Sequence, residues 1–205
     1  AAMMQGWRLP RNLRPGRVPI LALPSAGRLG HLRPMRAALA LALALALLAG
    51  TAAAVEVTGP GWRLETGDRL RLAGMVNGWT VLRDRNAPAG ADDYGFVLVR
   101  VQRPVPAADR GWYLQAVLRN LRPFRFGALP APETARHSGL PAALLEVTGF
   151  STQTGLPQMV RAEAVYAPDR TFLLIAAAPQ GQWPRLRGAL LAAMASFRPE
   201  RRPDP

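Results

Sequence analysis

The 205-residue chain contains no cysteine and no lysine. The first absence excludes a disulfide framework and any thiolate metal site. The second makes every one of the 26 basic residues an arginine, which removes Schiff-base chemistry and the phosphate-binding lysine of a Walker loop. Histidine is nearly missing too: only His31 and His137 are present and no His-Glu-x-x-His run occurs, so a multi-histidine zinc site lacks its ligands. Acids are few, 13 against the 26 arginines, for a formal charge of +13. A hydrophobic fraction of 49% with 19% charged residues is nonetheless too apolar for a wholly disordered chain.

Charge disappears altogether from Ala37 through Val55. Arg36 precedes an apolar run, Ala37 to Ala49, and small residues Ala52-Ala53-Ala54 follow it; a basic start, an apolar centre and a small-residue cleavage site are the three parts of a secretory signal peptide. As a helix the run rises only about 20 Å, short of the ~30 Å hydrocarbon core, which favours cleavage after Ala54 over retention as an anchor. No cysteine follows, so lipid modification is excluded, and no Arg-Arg pair precedes it, which points to the general secretory route rather than the twin-arginine one. The expected location is periplasmic or extracellular, with no stable membrane span after cleavage.

This divides the chain into residues 1–34, an expected disordered upstream extension carrying six arginines and no acid; 35–54, the signal peptide; 55–197, one α+β domain; and 198–205, a tail whose prolines and alternating charges suit disorder. Removing residues 1–54 leaves 19 arginines and 13 acids, a formal +6. Those charges are spread along the chain without a groove-reading motif, so no nucleic-acid partner is expected.

Strand signals fill the first half of the domain at 62–65, 69–73, 79–84 and 94–101, separated by the turn residues Gly67-Asp68, Asn77-Gly78 and Asn86 to Gly90. In Arg69-Leu70-Arg71-Leu72 the alternation predicts both leucines on the core. From Pro106 to Leu121 the period becomes helical, with Leu114, Val117, Leu118 and Leu121 on one stripe. Strands follow at 144–150, 159–166 and 171–176, the last two joined by the turn Ala167-Pro168-Asp169-Arg170. Pro184 opens a closing helix with Leu186, Leu190, Met194 and Phe197 on its apolar stripe. The fold class is an antiparallel sheet with two main helices packed on it.

Chemistry-bearing groupings are weak. His137-Ser138-Gly139 is expected in a loop between Pro132 and Pro141, where adjacent residues rarely orient as base and nucleophile. Gly149-Phe150-Ser151-Thr152-Gln153 lacks the second glycine of a nucleophile elbow. Asp92-Asp93 lacks the spaced ligands of a calcium loop. Glu146 and Glu163 are expected on adjacent strands, with Glu163 sharing a face with Arg161 as solvated charge. No catalytic residue, metal ligand or cofactor site is assigned. The densest grouping suited to contact is Arg119, Arg122, Phe124, Arg125 and Phe126, where arginine beside aromatic faces can receive an anion, and it is the candidate partner-binding cluster.

The ending Gly139-Leu140-Pro141-Ala142, Gly149, strand-turn-strand, then a helix closing on Ala195-Ser196-Phe197-Arg198 resembles the PsbP-like and DcrB-like group of exported α+β domains. It is also similar to the domain that follows the catalytic part of some secreted bacterial zinc metallopeptidases. The resemblance covers about the last 60 residues. It implies an accessory or partner-binding module of the cell envelope, with a protein or envelope component as partner. A periplasmic hydrolase with an unrecognised site is the alternative.

Overall fold

The computed structural model describes residues 55–88 and 94–200. The expected extension, the signal segment, Asp92-Asp93 and residues 201–205 lie outside them.

Eleven strands and two α-helices are arranged in two sheets among the described residues. The main sheet is antiparallel throughout and runs β3 (Leu70–Val76), β4 (Trp79–Asp84), β5 (Phe96–Gln102), β10 (Thr171–Pro179), β9 (Pro157–Tyr166), β8 (Leu140–Ser151) and β6 (Phe124–Phe126). Strand β7 (Glu133–His137) shares the outer edge of β8 with β6. A small second sheet joins β1 (Glu56–Gly59), β2 (Trp62–Glu65) and β11 (Arg198–Pro199).

Strand β10 is central, and its sequence Thr-Phe-Leu-Leu-Ile-Ala-Ala-Ala is buried along its length. Because side chains alternate, Phe172, Leu174, Ala176 and Ala178 enter one core while Leu173, Ile175 and Ala177 enter the other. Helix α1 (Arg110–Arg119), reached through a 3-10 turn at Ala107–Asp109, covers the second core with Leu114 and Leu118. Helix α2 (Trp183–Ser196) covers the first with Leu186, Leu190, Ala193 and Met194, and Phe197 follows at its C-terminal end. The layers are therefore helix, sheet, helix. Gly95 lets α2 approach: a Cβ there would stand 2.8 Å from Leu186 Cδ1. At the start of α1 the buried Tyr166 donates its hydroxyl to Arg110 O at 3.3 Å, and the Arg110 guanidinium lies 4.7 Å from its ring centroid. Burial pushes the Tyr166 phenol up to about 12, against a smaller opposing pull from Arg110, so it stays a donor at neutral pH.

The antiparallel sheet and the two helices expected from the sequence are present, with all four stripe residues of the closing helix buried. Three local expectations change. Leu70 is buried, but Leu72 is 53% exposed, because β3 is an edge strand whose register shifts between Leu72 and Gly74, and the core does not extend under that end. The domain does not stop at Phe197: Arg198–Pro199 pairs with Trp62 and Arg63, and Glu200 donates its N–H to Gly61 O at 2.8 Å. Pro199 is tolerated because β11 is an edge strand of its sheet. Glu163 is buried rather than solvated; its partner is His137, while Arg161 turns to Glu146 at 3.1 Å.

Candidate functional site

Helix α1 is only ten residues long and packs over the β8 to β10 part of the sheet, leaving the same face of β4 and β5 open. The result is a groove of about 890 Å³. Its floor is set by cross-strand register. Val81 lies opposite Leu98 and Arg83 opposite Phe96; just beyond the end of this ladder the Arg100 guanidinium lies 5.6 Å from the Trp79 indole centroid. The floor thus reads arginine-aromatic, aliphatic, arginine-aromatic along the strands. The far wall is the end of α1 and the turn after it, Asn120 to Pro123, together with Thr152 and Gln153 from the β8 to β9 turn. A second cavity of about 380 Å³ shares Trp79, Arg100, Asn120 and Leu121 with it and continues beneath Trp112 and Tyr113. Among the described residues neither cavity has an acidic lining residue, while Arg83, Arg100 and Arg122 all line the larger one. Burial raises the Tyr113 phenol, with Arg100 pulling the other way, so this side chain too is a hydroxyl donor at neutral pH.

The candidate cluster of arginines and phenylalanines is divided by this geometry. Phe124 is buried and stacks on the floor residue Phe96 at 6.0 Å and 18°, and Phe126 tilts against Phe124 at 5.8 Å. Both phenylalanines belong to the core on the groove's own face of the sheet, Phe124 abutting the floor at Phe96 and Phe126 packing behind it. Arg122 lines the wall. Arg119, on the last turn of α1, is exposed next to the wall residue Asn120. Arg125 is exposed as well, but strand alternation sends it to the opposite face of the sheet from its flanking phenylalanines. Sequence reasoning missed Trp79, Arg83, Phe96 and Arg100. The signal was present in the alternation of β4 and β5, yet only the register between them shows that the two arginines stand at opposite ends of one surface.

The histidine forms a separate, closed arrangement, and it is not in a loop as expected: it ends strand β7, which pairs antiparallel with the start of β8 across a two-residue turn. Ser138 (φ 48°) and Gly139 (φ 83°) make the two-residue turn between β7 and β8, a conformation with both central residues at positive φ that matches hairpin twist. This places His137 Nδ1 2.8 Å from Glu163 Oε1 and Nε2 3.0 Å from Phe197 O. A carboxylate and a carbonyl can only accept, so both ring nitrogens are satisfied together by the imidazolium form. Burial works against that charge, but the Glu163 carboxylate and the Phe197 carbonyl outweigh it, with a small opposing contribution from Arg198, and the His137 pKa lies above its ordinary value.

Arg198 completes the arrangement by donating to Ala195 O and Phe197 O, each at 2.8 Å. Two cations therefore meet the carbonyls that the end of α2 leaves unpaired. Ser196 accepts the Glu65 N–H at 2.9 Å and donates to Ala193 O at 2.7 Å, and Phe197 packs on Trp62, Phe172 and His137 at 6.0, 5.2 and 5.6 Å. The Ser-Phe-Arg ending is thus a fastening between the two sheets and α2. Neither nitrogen of His137 is turned to Ser138, whose hydroxyl lies 3.3 Å from Phe197 O, so the pair is not arranged as base and nucleophile. Ser151 Oγ accepts the N–H groups of Gln153 and Thr154 in a turn. Among the described residues no three His, Asp or Glu side chains gather to hold a metal.

No protein-family model and no curated protein matches this chain. Solved structures do. LpqN of Mycobacterium tuberculosis, described as involved in cell envelope biogenesis, aligns with TM-score 0.51 and 19% identity over 70% of this chain and 88% of its own. Cyanobacterial PsbP from Synechocystis sp. PCC 6803 aligns with TM-score 0.51 and 14% identity over 74% and 95%. A crystal structure from Bacteroides thetaiotaomicron VPI-5482 aligns at TM-score 0.47 and 9% identity over 71% of this chain, which spans 48% of that longer protein. The likeness thus reaches well beyond the last third of the sequence, and the chain has a PsbP-like fold.

Proposed function

We propose that this chain is an exported, non-catalytic accessory domain of the bacterial cell envelope that binds a negatively charged partner through the groove between α1 and strands β4 and β5. One observation carries the reading: a groove of about 890 Å³ is lined by Arg83, Arg100 and Arg122 and, among the described residues, by no acid, so these residues contribute a positive potential over an apolar floor, which attracts and retains anions with an apolar part. Arg122 faces the groove, with Arg119 and Arg125 as exposed charges on the flanking elements and Phe124 and Phe126 as core packing beside the floor. Export is supported by the apolar run with its Ala52-Ala53-Ala54 site and by β1 beginning at Glu56, so that cleavage after Ala54 removes no part of the described fold. Among the described residues no helix is long and apolar enough to cross a membrane. The shared fold with LpqN, itself an envelope protein by description, adds weight.

The test is capture of envelope components by protein exported from the full chain, compared with the Arg83→Gln, Arg100→Gln, Arg122→Gln triple variant at low and high salt. Capture that is lost both in the variant and in high salt supports the reading, whereas equal capture by both proteins removes it. Mass spectrometry of the exported protein is expected to find Val55 at its N-terminus; a chain still carrying residues 37–54 in a carbonate-washed membrane fraction overturns the signal-peptide assignment.

A further inference from the structure

The smaller cavity that continues the groove is lined differently from the groove floor. On α1, Trp112, Ala116 and Asn120 follow at intervals of four along the helix edge that borders it, and the short Ala116 leaves space between the other two. On β5, Arg100 and Gln102 stand at alternate positions, hence on one face and about 7 Å apart. Trp112 is 54% exposed and belongs to neither core; among the described residues it makes no ring contact and no hydrogen bond. It borders a cavity instead of standing alone on the surface, and there an exposed apolar side chain marks a contact. The Gln102 side-chain amide has no partner among the described residues. Asn120 uses only its Nδ2, donating to Ala116 O at 2.8 Å, so its Oδ1 is left to accept. The Arg100 guanidinium is held against the Trp79 ring and makes no ion pair among the described residues, where no acid lines the cavity.

Resting on the groove reading above, we propose that this cavity receives a hexuronate, a sugar ring bearing a carboxylate, from an acidic polysaccharide of the envelope. Three features of the lining are met by that one ring. A pyranose has a face of C–H groups whose slight positive charge packs on the electron-rich face of an aromatic ring, and Trp112 and Tyr113 bring such rings to the cavity. Its hydroxyls both donate and accept, as do the amides of Gln102 and Asn120. Its carboxylate takes the planar guanidinium of Arg100 through two parallel hydrogen bonds. Other anions answer only part of this lining. The hydrocarbon tail of an anionic lipid leaves both amides unpaired, and an Asp or Glu side chain of a partner protein has the carboxylate but no apolar face for Trp112. The volume of about 380 Å³ lies toward the small end for a ligand pocket and suits a single ring. The groove shares Trp79, Arg100 and Asn120 with this cavity and holds the neighbouring sugars of the chain, within reach of Arg122 on its wall.

The experiment is calorimetric titration of protein exported from the full chain with tetramers of glucuronate, galacturonate and mannuronate, each beside the neutral tetramer of glucose, galactose or mannose in the same linkage. At least one hexuronate is expected to bind, about tenfold more tightly than its neutral counterpart. Arg100→Gln should bring that hexuronate down to the level of the neutral sugar, and Trp112→Ala should weaken it about fivefold or more. Trp112 packs in neither core, so its loss leaves the fold intact, and this variant and the neutral sugars keep the test decisive should Arg100→Gln fold poorly. Failure of all three hexuronates to bind overturns the proposal, as does binding that is equal for acidic and neutral sugars or unchanged by Trp112→Ala. Arg100-dependent binding of dodecyl phosphate or of a polyglutamate peptide, with no hexuronate bound, overturns it while leaving the groove reading standing. Capture of envelope components that is indifferent to both Arg100→Gln and Arg122→Gln removes both.

Discussion

The two faces of the sheet are built from similar material and finished differently. On one, α2 lies over β10 and β5, its end is fixed by His137, Ser196 and Arg198, and Phe197 plugs the space between the two sheets. On the other, α1 stops at Arg119 and the surface of β4 and β5 beside it stays open. The closed face spends its polar groups on internal hydrogen bonds, and the open one holds arginines over apolar side chains. A fold with two nearly equivalent layers can thus assign stability to one and contact to the other.

The largest effect separating the faces is expected at Phe197. It is fully buried against Trp62, Phe172 and His137, so Phe197→Ala should destabilise the domain by about 3–5 kcal/mol in a urea melt. A loss under about 1 kcal/mol would show that the closed face does not depend on its plug. A matched pair of leucines then tests the contrast directly. Leu190 and Leu98 are both buried, but Leu190, on α2, is enclosed between that helix and the sheet, while Leu98 borders the groove. Leu190→Ala should cost about 2–5 kcal/mol, and Leu98→Ala about 1–2, since truncation beside an open groove leaves no sealed cavity. Equal losses would mean that the groove is closed in solution.

The next effect is smaller and depends on pH. His137 has its pKa raised in the folded state, so folding binds its proton more tightly than the unfolded chain does. The resulting stabilisation is complete below the ordinary value of about 6.5 and is lost as pH rises through the raised one. Thermal melts should therefore fall in Tm above about pH 6.5, and Glu163→Gln should flatten that slope by removing the main source of the shift. A Tm that rises over the same range would show that His137 is held neutral. This dependence belongs to the closed face, because among the described residues no histidine lines the groove.

What was legible in the sequence follows the same division. The closing helix could be read because Leu186, Leu190, Met194 and Phe197 repeat at helical spacing, and the β9 to β10 hairpin because Pro168 and Asp169 interrupt two apolar runs. These are local signals. The groove is not local: it depends on β4 and β5 pairing in one register and on α1 being too short to cover them, and no spacing within either strand states that. Glu163 was misjudged for a related reason. Its near neighbour Arg161 suggested a solvated face, whereas the decisive partner, His137, is 26 positions away and arrives only when β8 brings β7 alongside. Strand β11 escaped because two residues bounded by proline and charge carry no periodicity, and only the waiting edge of β2 makes them a strand.

The smallest expected effect on stability comes from the arginines of the original cluster, and it sharpens the contrast most. Arg119, Arg122 and Arg125 are all exposed, and none makes an ion pair within the described chain. Nothing in the packing requires their charge, so converting all three to Gln should leave thermal stability within about 1 kcal/mol of the parent. Their contributions to binding should differ, because Arg122 faces the groove while Arg125 is turned to the other side of the sheet. In capture of envelope components, single variants should rank Arg122→Gln as the most damaging, Arg119→Gln next and Arg125→Gln as silent, with the differences shrinking as salt shortens the reach of exposed charges. If Arg125→Gln proves as costly as Arg122→Gln, the contact surface wraps the β6 edge of the sheet and the open face is not where the partner is read.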